Sequence, residues 1–183
     1  MHQPSICRMS GAKARGFTLL ELLVTLLIMG IIAVWGIPSF QALGERTART
    51  GAVNRLQTAL GFARQTAITQ HQPITLCPIA DSQDTSHCGE NWSKALMVVR
   101  GDQTADIAST DVLRAFPASE RVEVRYSRGW RRIRYDALGH SSGYNGRFFL
   151  CPQGGKSRAR GSTLILSQLG RWRMAPAPTE CPD

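Results

Sequence analysis

The stretch from Phe17 to Ile37, FTLLELLVTLLIMGIIAVWGI, carries a single charge, Glu21, in 21 residues. At about 1.5 Å per residue a helix of that length spans roughly 31 Å, the thickness of a bilayer core. Apolar residues cover all its faces, so burial as a core helix would need a larger protein around it. A secretory signal has only about 7–15 apolar residues and then a small-residue cleavage site, where this chain has Trp35. The segment reads as a membrane-embedded helix. Arg8, Lys13 and Arg15 precede it. The positive-inside tendency then puts residues 1–16 in the cytoplasm and the chain beyond residue 40 outside. Glu21 is the anomaly, because an ionised carboxylate in such a span costs about 2.5–3.5 kcal/mol and calls for a partner. Phe17 lies one helical turn before it. A cut between Gly16 and Phe17 would create an α-amine within reach, on the same chain or a neighbour.

The run Lys13-Ala14-Arg15-Gly16-Phe17-Thr18-Leu19-Leu20-Glu21-Leu22 resembles the prepilin signal of type IV pilins and type II secretion pseudopilins. The resemblance implies a leader, 1–16, removed by a prepilin peptidase between Gly16 and Phe17, with N-methylation of Phe17. It also implies an assembly role for Glu21 and a single-pass subunit of the bacterial inner membrane. Its C-terminal head would lie in the periplasm, and the subunit would be extracted into a pilus or pseudopilus. Other major and minor pilins or pseudopilins are the implied partners.

Pro38 is expected to kink the helix against the carbonyl of Val34. Beyond it Val53, Leu56, Leu60, Ala63 and Ala67 recur at helical spacing, which predicts an amphipathic helix to about Gln70. Arg46, Arg49, Arg55 and Arg64 fall on the face expected to be exposed. After Pro73 the period becomes two, and strands are predicted near 74–79, 95–100, 111–116, 121–126, 131–136, 147–151, 162–168 and 171–174. The expected organisation is leader 1–16, transmembrane half-helix 17–40, amphipathic half 41–72, and a β-rich head 73–183. The fold class is α+β, a long N-terminal helix packed on an antiparallel sheet. Leu76-Cys77-Pro78 followed by Cys88-Gly89-Glu90-Asn91-Trp92 is similar to the head motif of FimT, FimU and GspH-like minor pilins.

Loss of the leader removes Cys7 and leaves Cys77, Cys88, Cys151 and Cys181. An even number in an oxidising compartment implies disulfides. Three connectivities are possible; closeness in sequence favours Cys77–Cys88, with Cys151–Cys181 tying down the tail. On the chain-entropy model these loops contribute about 3 and 4 kcal/mol. A zinc site would need His at ligand spacing, which the cysteines lack. His71, His87 and His140 neighbour no hydrolase or metalloprotease motif, and Ser141-Ser142 reads as a turn. No enzyme, cofactor or metal is expected.

The net charge is +9, with 19 Arg and three Lys, and it is unevenly placed. Residues 121–174 hold twelve basic and two acidic groups. One group is Arg121, Arg125, Arg128, Arg131, Arg132 and Arg134, with Glu120, Glu123 and Asp136 nearby; its plainer reading is a solvated sheet face. The other is Lys156, Arg158, Arg160, Arg171 and Arg173, with no acid from Cys151 through Met174. Clustered Arg on flexible backbone suits phosphate contacts without base reading. Alternation aims Arg171 and Arg173 the same way and sends Trp172 toward the core. Gly170-Arg171-Trp172-Arg173 resembles the Gly-Arg-x-Arg DNA-binding motif of FimT-type minor pilins, which serve DNA uptake in transformation. Given 17 Gly and 19 Arg in 183 residues, chance supplies about 0.2 such occurrences. Two expectations follow. One is a minor pilin at or near a pilus tip that binds double-stranded DNA through these five cations. The other is a structural subunit, either a pilus-priming minor pilin or the H-type pseudopilin of a type II secretion system.

Overall fold

The computed structural model describes residues 17–81, 84–153 and 160–181, and within them not the side chains of 35–42, 84, 85 and 179. The helix begins where Thr18 can cap it. Thr18 Oγ1 accepts the N–H of Glu21 at 3.2 Å, so the Thr-Leu-Leu-Glu run supplies an N-cap. α1 runs from Leu19 to Gln70 and is helical through Pro38. It stops at His71, whose φ of 50° is left-handed, and Pro73 follows.

The chain divides into two compact units, Met1–Gln41 and Ala42–Asp183. In the first, every residue from Phe17 to Val34 is exposed, so this chain leaves the apolar surface uncovered. Among the described residues no helix is long and apolar enough to cross a membrane. The expected span, 17–40, runs on into residues whose side chains lie outside the described set.

In the second unit α1 buries Ala52, Leu56, Ala59, Leu60, Ala63 and Ala67, while Val53 is only partly covered. The stripe is thus the expected one widened by two small residues, which let the helix approach the sheets closely. Three arginines expected on the solvent face, Arg49, Arg55 and Arg64, instead fasten the helix to backbone carbonyls of the head. Arg55 donates to the carbonyls of Lys94 at 2.8 Å, Pro117 at 2.7 Å and Trp92 at 2.7 Å. Burial pulls its guanidinium down to about 10, still fully cationic at neutral pH. Arg64 Nε donates to the Gly139 carbonyl at 3.0 Å. Periodicity puts Arg55 and Arg64 on the wrong side because a long Arg stem can cover apolar surface and carry its head to buried carbonyls.

The strands are β1 (Ile74–Asp81), β2 (Asp84–Cys88), β3 (Leu96–Arg100), β4 (Val112–Phe116), β5 (Val122–Tyr126), β6 (Ile133–Tyr135), β7 (Gly146–Pro152), β8 (Arg160–Leu166), β9 (Trp172–Met174) and β10 (Thr179–Glu180). All pair antiparallel in two five-stranded sheets. In the first, β1 gives one edge to β3 and shares the other between β6 and β2. In the second, β8 gives one edge to β7 and shares the other between β9 and β10. The short β2 and β10 are additions to the predicted strands; neither carries the apolar alternation that marks a strand.

One core holds the helix stripe together with Leu76, Val98, Val124, Phe148, Leu150 and Leu164 from the two sheets. Trp92 lies within it, edge-on to Tyr126 and Phe148, and its Nε1 donates to the Trp130 carbonyl at 3.0 Å. β1 and β3 are buried on both faces, since Cys77, Ile79, Met97 and Val99 form a second cluster with Cys88 and Ile107. Of the three connectivities the structure holds Cys77–Cys88 and Cys151–Cys181. The first ties β1 to β2 and the second ties β7 to the end of the tail.

Candidate nucleic-acid interface

The turn that carries Gly170 is held from both sides. Ser167 N–H donates to the Arg171 carbonyl at 2.8 Å, and Gly170 N–H to the Ser167 carbonyl at 3.0 Å. Ser167 Oγ donates to the Arg171 carbonyl as well, at 3.0 Å. Ser141 binds the same turn, its N–H to the Gln168 carbonyl and its Oγ to that of Ser167, both at 2.9 Å. Arg171 leaves the turn exposed. Trp172 then points inward, where its ring abuts Gly61 of the helix. Arg173 is exposed and sits directly across from Ile165 on β8.

Ile165 is in turn paired with Arg147 on β7. Arg147, Ile165 and Arg173 therefore form one row on the outer face of the second sheet, the two guanidinium stems about 10 Å apart across two strand spacings. Sequence reasoning misses Arg147. It stands alone in the chain between Gly146 and Phe148, and only strand register brings it into one row with Arg173. Arg160, exposed, opens β8, and its carbonyl accepts Arg49 Nη1 at 2.6 Å. Lys156 and Arg158 lie outside the described residues.

Charge pairing separates the two arginine groups. Arg125 pairs with Glu123 at 2.7 Å, and Arg131 with Glu90. Arg132 and Arg134 both reach Asp102, at 2.7 and 3.3 Å. Arg128 Nε is bonded to the Asn145 carbonyl at 3.0 Å. Four of the six arginines in the first group thus meet a carboxylate, three of them through Glu90 and Asp102, which are remote in sequence, rather than through Glu120 and Asp136, while Arg121 and Arg128 make no ion pair among the described residues. Asp136 instead accepts the N–H groups of Leu138 and His140, both at 2.9 Å. By contrast Arg147, Arg160, Arg171 and Arg173 make no ion pair among the described residues. Cations in that state are the ones a polyanion can neutralise.

Of the residues expected to serve processing and assembly, Gly16 lies outside the described set, while Phe17 and Glu21 are exposed. Glu21 has no ion-pair partner among the described residues. No group of three or more His, Cys, Asp or Glu among the described residues is placed to hold a metal.

A capped N-terminal helix packed on antiparallel sheets behind a processing signal is the architecture of a type IV pilin-like subunit, a minor pilin or pseudopilin. The profile of the family described as type II transport protein GspH matches residues 52–170, and the chain belongs to that family. A second profile, the prokaryotic N-terminal methylation motif, matches residues 11–37. A fimbrial protein of Pseudomonas aeruginosa is 31% identical over 104 residues, covering 52% of this chain and 67% of that one. The type IV major fimbrial protein FimA of Dichelobacter nodosus is 31% identical over 116 residues, 63% of this chain and 68% of that one. The crystal structure of the type IV minor pilin FimU of Pseudomonas aeruginosa superposes with a TM-score of 0.61 at 22% identity, covering 75% of this chain and 97% of that one. That last likeness concerns the fold. Membership of the family carries association with other pilins and processing by a prepilin peptidase.

Proposed function

We propose that this subunit is a minor pilin at or near the tip of a type IV pilus that holds double-stranded DNA non-specifically for uptake in transformation. Phe17–Ile37 anchors it in the inner membrane before assembly, with the head in the periplasm. Cleavage after Gly16 and methylation of Phe17 prepare it for the filament. The observation that carries the DNA reading is the sorting of the arginines. Arg160, Arg171 and Arg173, joined by Arg147, make no ion pair among the described residues, whereas Arg125, Arg131, Arg132 and Arg134 of the first group are tied to carboxylates. Packing between subunits does not require that excess.

The test is a salt titration on the Ala42–Asp183 unit, which has its own core and both disulfides. It should bind duplex DNA at about micromolar Kd in low salt. Changing Arg171 and Arg173 to Gln should flatten the log–log salt slope by about two units, one for each phosphate no longer neutralised. Changing Arg131 and Arg132 should alter it less. Near-UV circular dichroism must show that the Trp172 strand remains packed. No binding at low salt, or an unchanged slope in the folded Arg171/Arg173 variant, removes DNA from this surface. The second reading is then a structural subunit, the H-type pseudopilin of a type II secretion system or a priming pilin; the GspH profile favours the pseudopilin.

A further inference from the structure

A cleft of about 420 Å³ opens between α1, the start of β8 and the tail, lined by Arg46, Arg49, Arg160, Ser162, Thr163 and the segment 174–178. It lies along the edge of β8 between its pairings with β9 and β10, where the Ala175 N–H donates to the Thr163 carbonyl at 2.8 Å. β9 pairs with Leu164–Leu166 and β10 with Arg160 and Gly161, and the tail arches away between them. Three arginines line this cleft, and among the described residues no carboxylate does. Arg49 is held by its bond to the Arg160 carbonyl at 2.6 Å, which uses one of its five N–H donors and leaves the rest of the fork free. Arg46 is exposed, and none of the three makes an ion pair among the described residues. The nearest acid by register is Glu180, across the ladder from Arg160, and it lines the neighbouring groove instead. Ser162 adds a hydroxyl donor. The remaining wall, Met174 to Pro178, is apolar and includes two prolines without N–H groups.

We infer that this cleft is a seat for a phosphate dianion, separate from the Arg147–Arg173 row. Several guanidinium forks lining one cleft match the oxygens of a phosphate and its double charge better than those of a single carboxylate. The pocket is within the size range of small-molecule sites. The same chemistry is met in free inorganic phosphate or pyrophosphate and in the headgroup of an acidic phospholipid. The inference does not depend on DNA binding.

The experiment uses the full mature chain in neutral detergent micelles, with arginine side-chain NMR signals as the readout. One arm adds inorganic pyrophosphate; the other dopes the micelles with phosphatidic acid. Saturable shifts at Arg46, Arg49 and Arg160 are expected in at least one arm. Arg46→Gln should weaken that binding roughly tenfold or more, the effect of removing one charge-assisted hydrogen bond. This variant leaves the Arg49–Arg160 bond in place, so folding is preserved; Arg49→Lys is a second variant that keeps charge but not the fork. Response to pyrophosphate identifies a soluble ligand, and response only to phosphatidic acid identifies a lipid headgroup. Absence of saturable shifts in both arms, or an affinity unmoved by Arg46→Gln, overturns the inference.

Discussion

Gly170 packs so closely on Gly139 that a Cβ on Gly170 would lie 2.0 Å from the Gly139 carbonyl oxygen. That oxygen is the acceptor of Arg64 Nε. The glycine of the Gly-Arg-Trp-Arg run is therefore a packing residue. It joins the β8–β9 turn to the 136–140 turn and to α1, and so fixes where Arg171 and Arg173 emerge.

Gly170→Ala should destabilise the head by at least about 3 kcal/mol, since a positive φ of 72° and a backbone clash act together. Gly129 is the control. Its φ is 64°, but nothing lies within 4 Å of a Cβ there. Its Ala variant should cost only about 1–2 kcal/mol. Denaturant unfolding of the two variants measures the difference.

Arg55→Met should cost about 3 kcal/mol, because three carbonyls lose a charged donor while the apolar stem is kept. Arg55→Lys should recover only part of this, as an ammonium cannot reproduce the planar fork. Urea midpoints at constant m-value report the ranking.

Alkali should unfold the head through its buried tyrosines. Burial pushes Tyr126 from 10.0 up to about 12, and Tyr135 is raised further. Below pH 10 both are neutral folded or unfolded and stability is unaffected by them. Above it the unfolded chain ionises first, so stability falls as pH rises toward 12, by up to about 1.4 kcal/mol per pH unit for each tyrosine. Tyr126→Phe should start less stable, having lost its bond to the Tyr144 carbonyl at 2.5 Å, yet decline less steeply. Thermal melts from pH 8 to 11.5 check both slopes.

Glu21→Ala should insert into membranes more readily and enter filaments poorly, since the new α-amine of Phe17 would lose its counter-charge. Incorporation is read from sheared filaments by quantitative mass spectrometry. Normal incorporation would show the pairing to be dispensable.

Much of the fold is legible in the chain because its signals are local. Helical spacing from Val53 to Ala67 and the change of period after Pro73 mark where α1 ends. Turn residues and alternation locate eight of the ten strands to within a few residues. The failures share a cause. Arg55 and Arg64 look solvent-facing because periodicity describes where a Cβ points, not where a long stem carries its charge.

The candidate site divides along the same line. Composition and position along the chain suffice to single out the basic C-terminal third, the Gly-Arg-Trp-Arg run and the processing signal, since each is a contiguous pattern. Which arginines are free is decided only by the tertiary structure. Asp102 pairs with both Arg132 and Arg134 from some thirty residues away, and strand register sets Arg147 in one row with Arg173, flanking Ile165. Coulomb interactions depend on distance in space, and antiparallel pairing makes neighbours of residues that no linear reading connects.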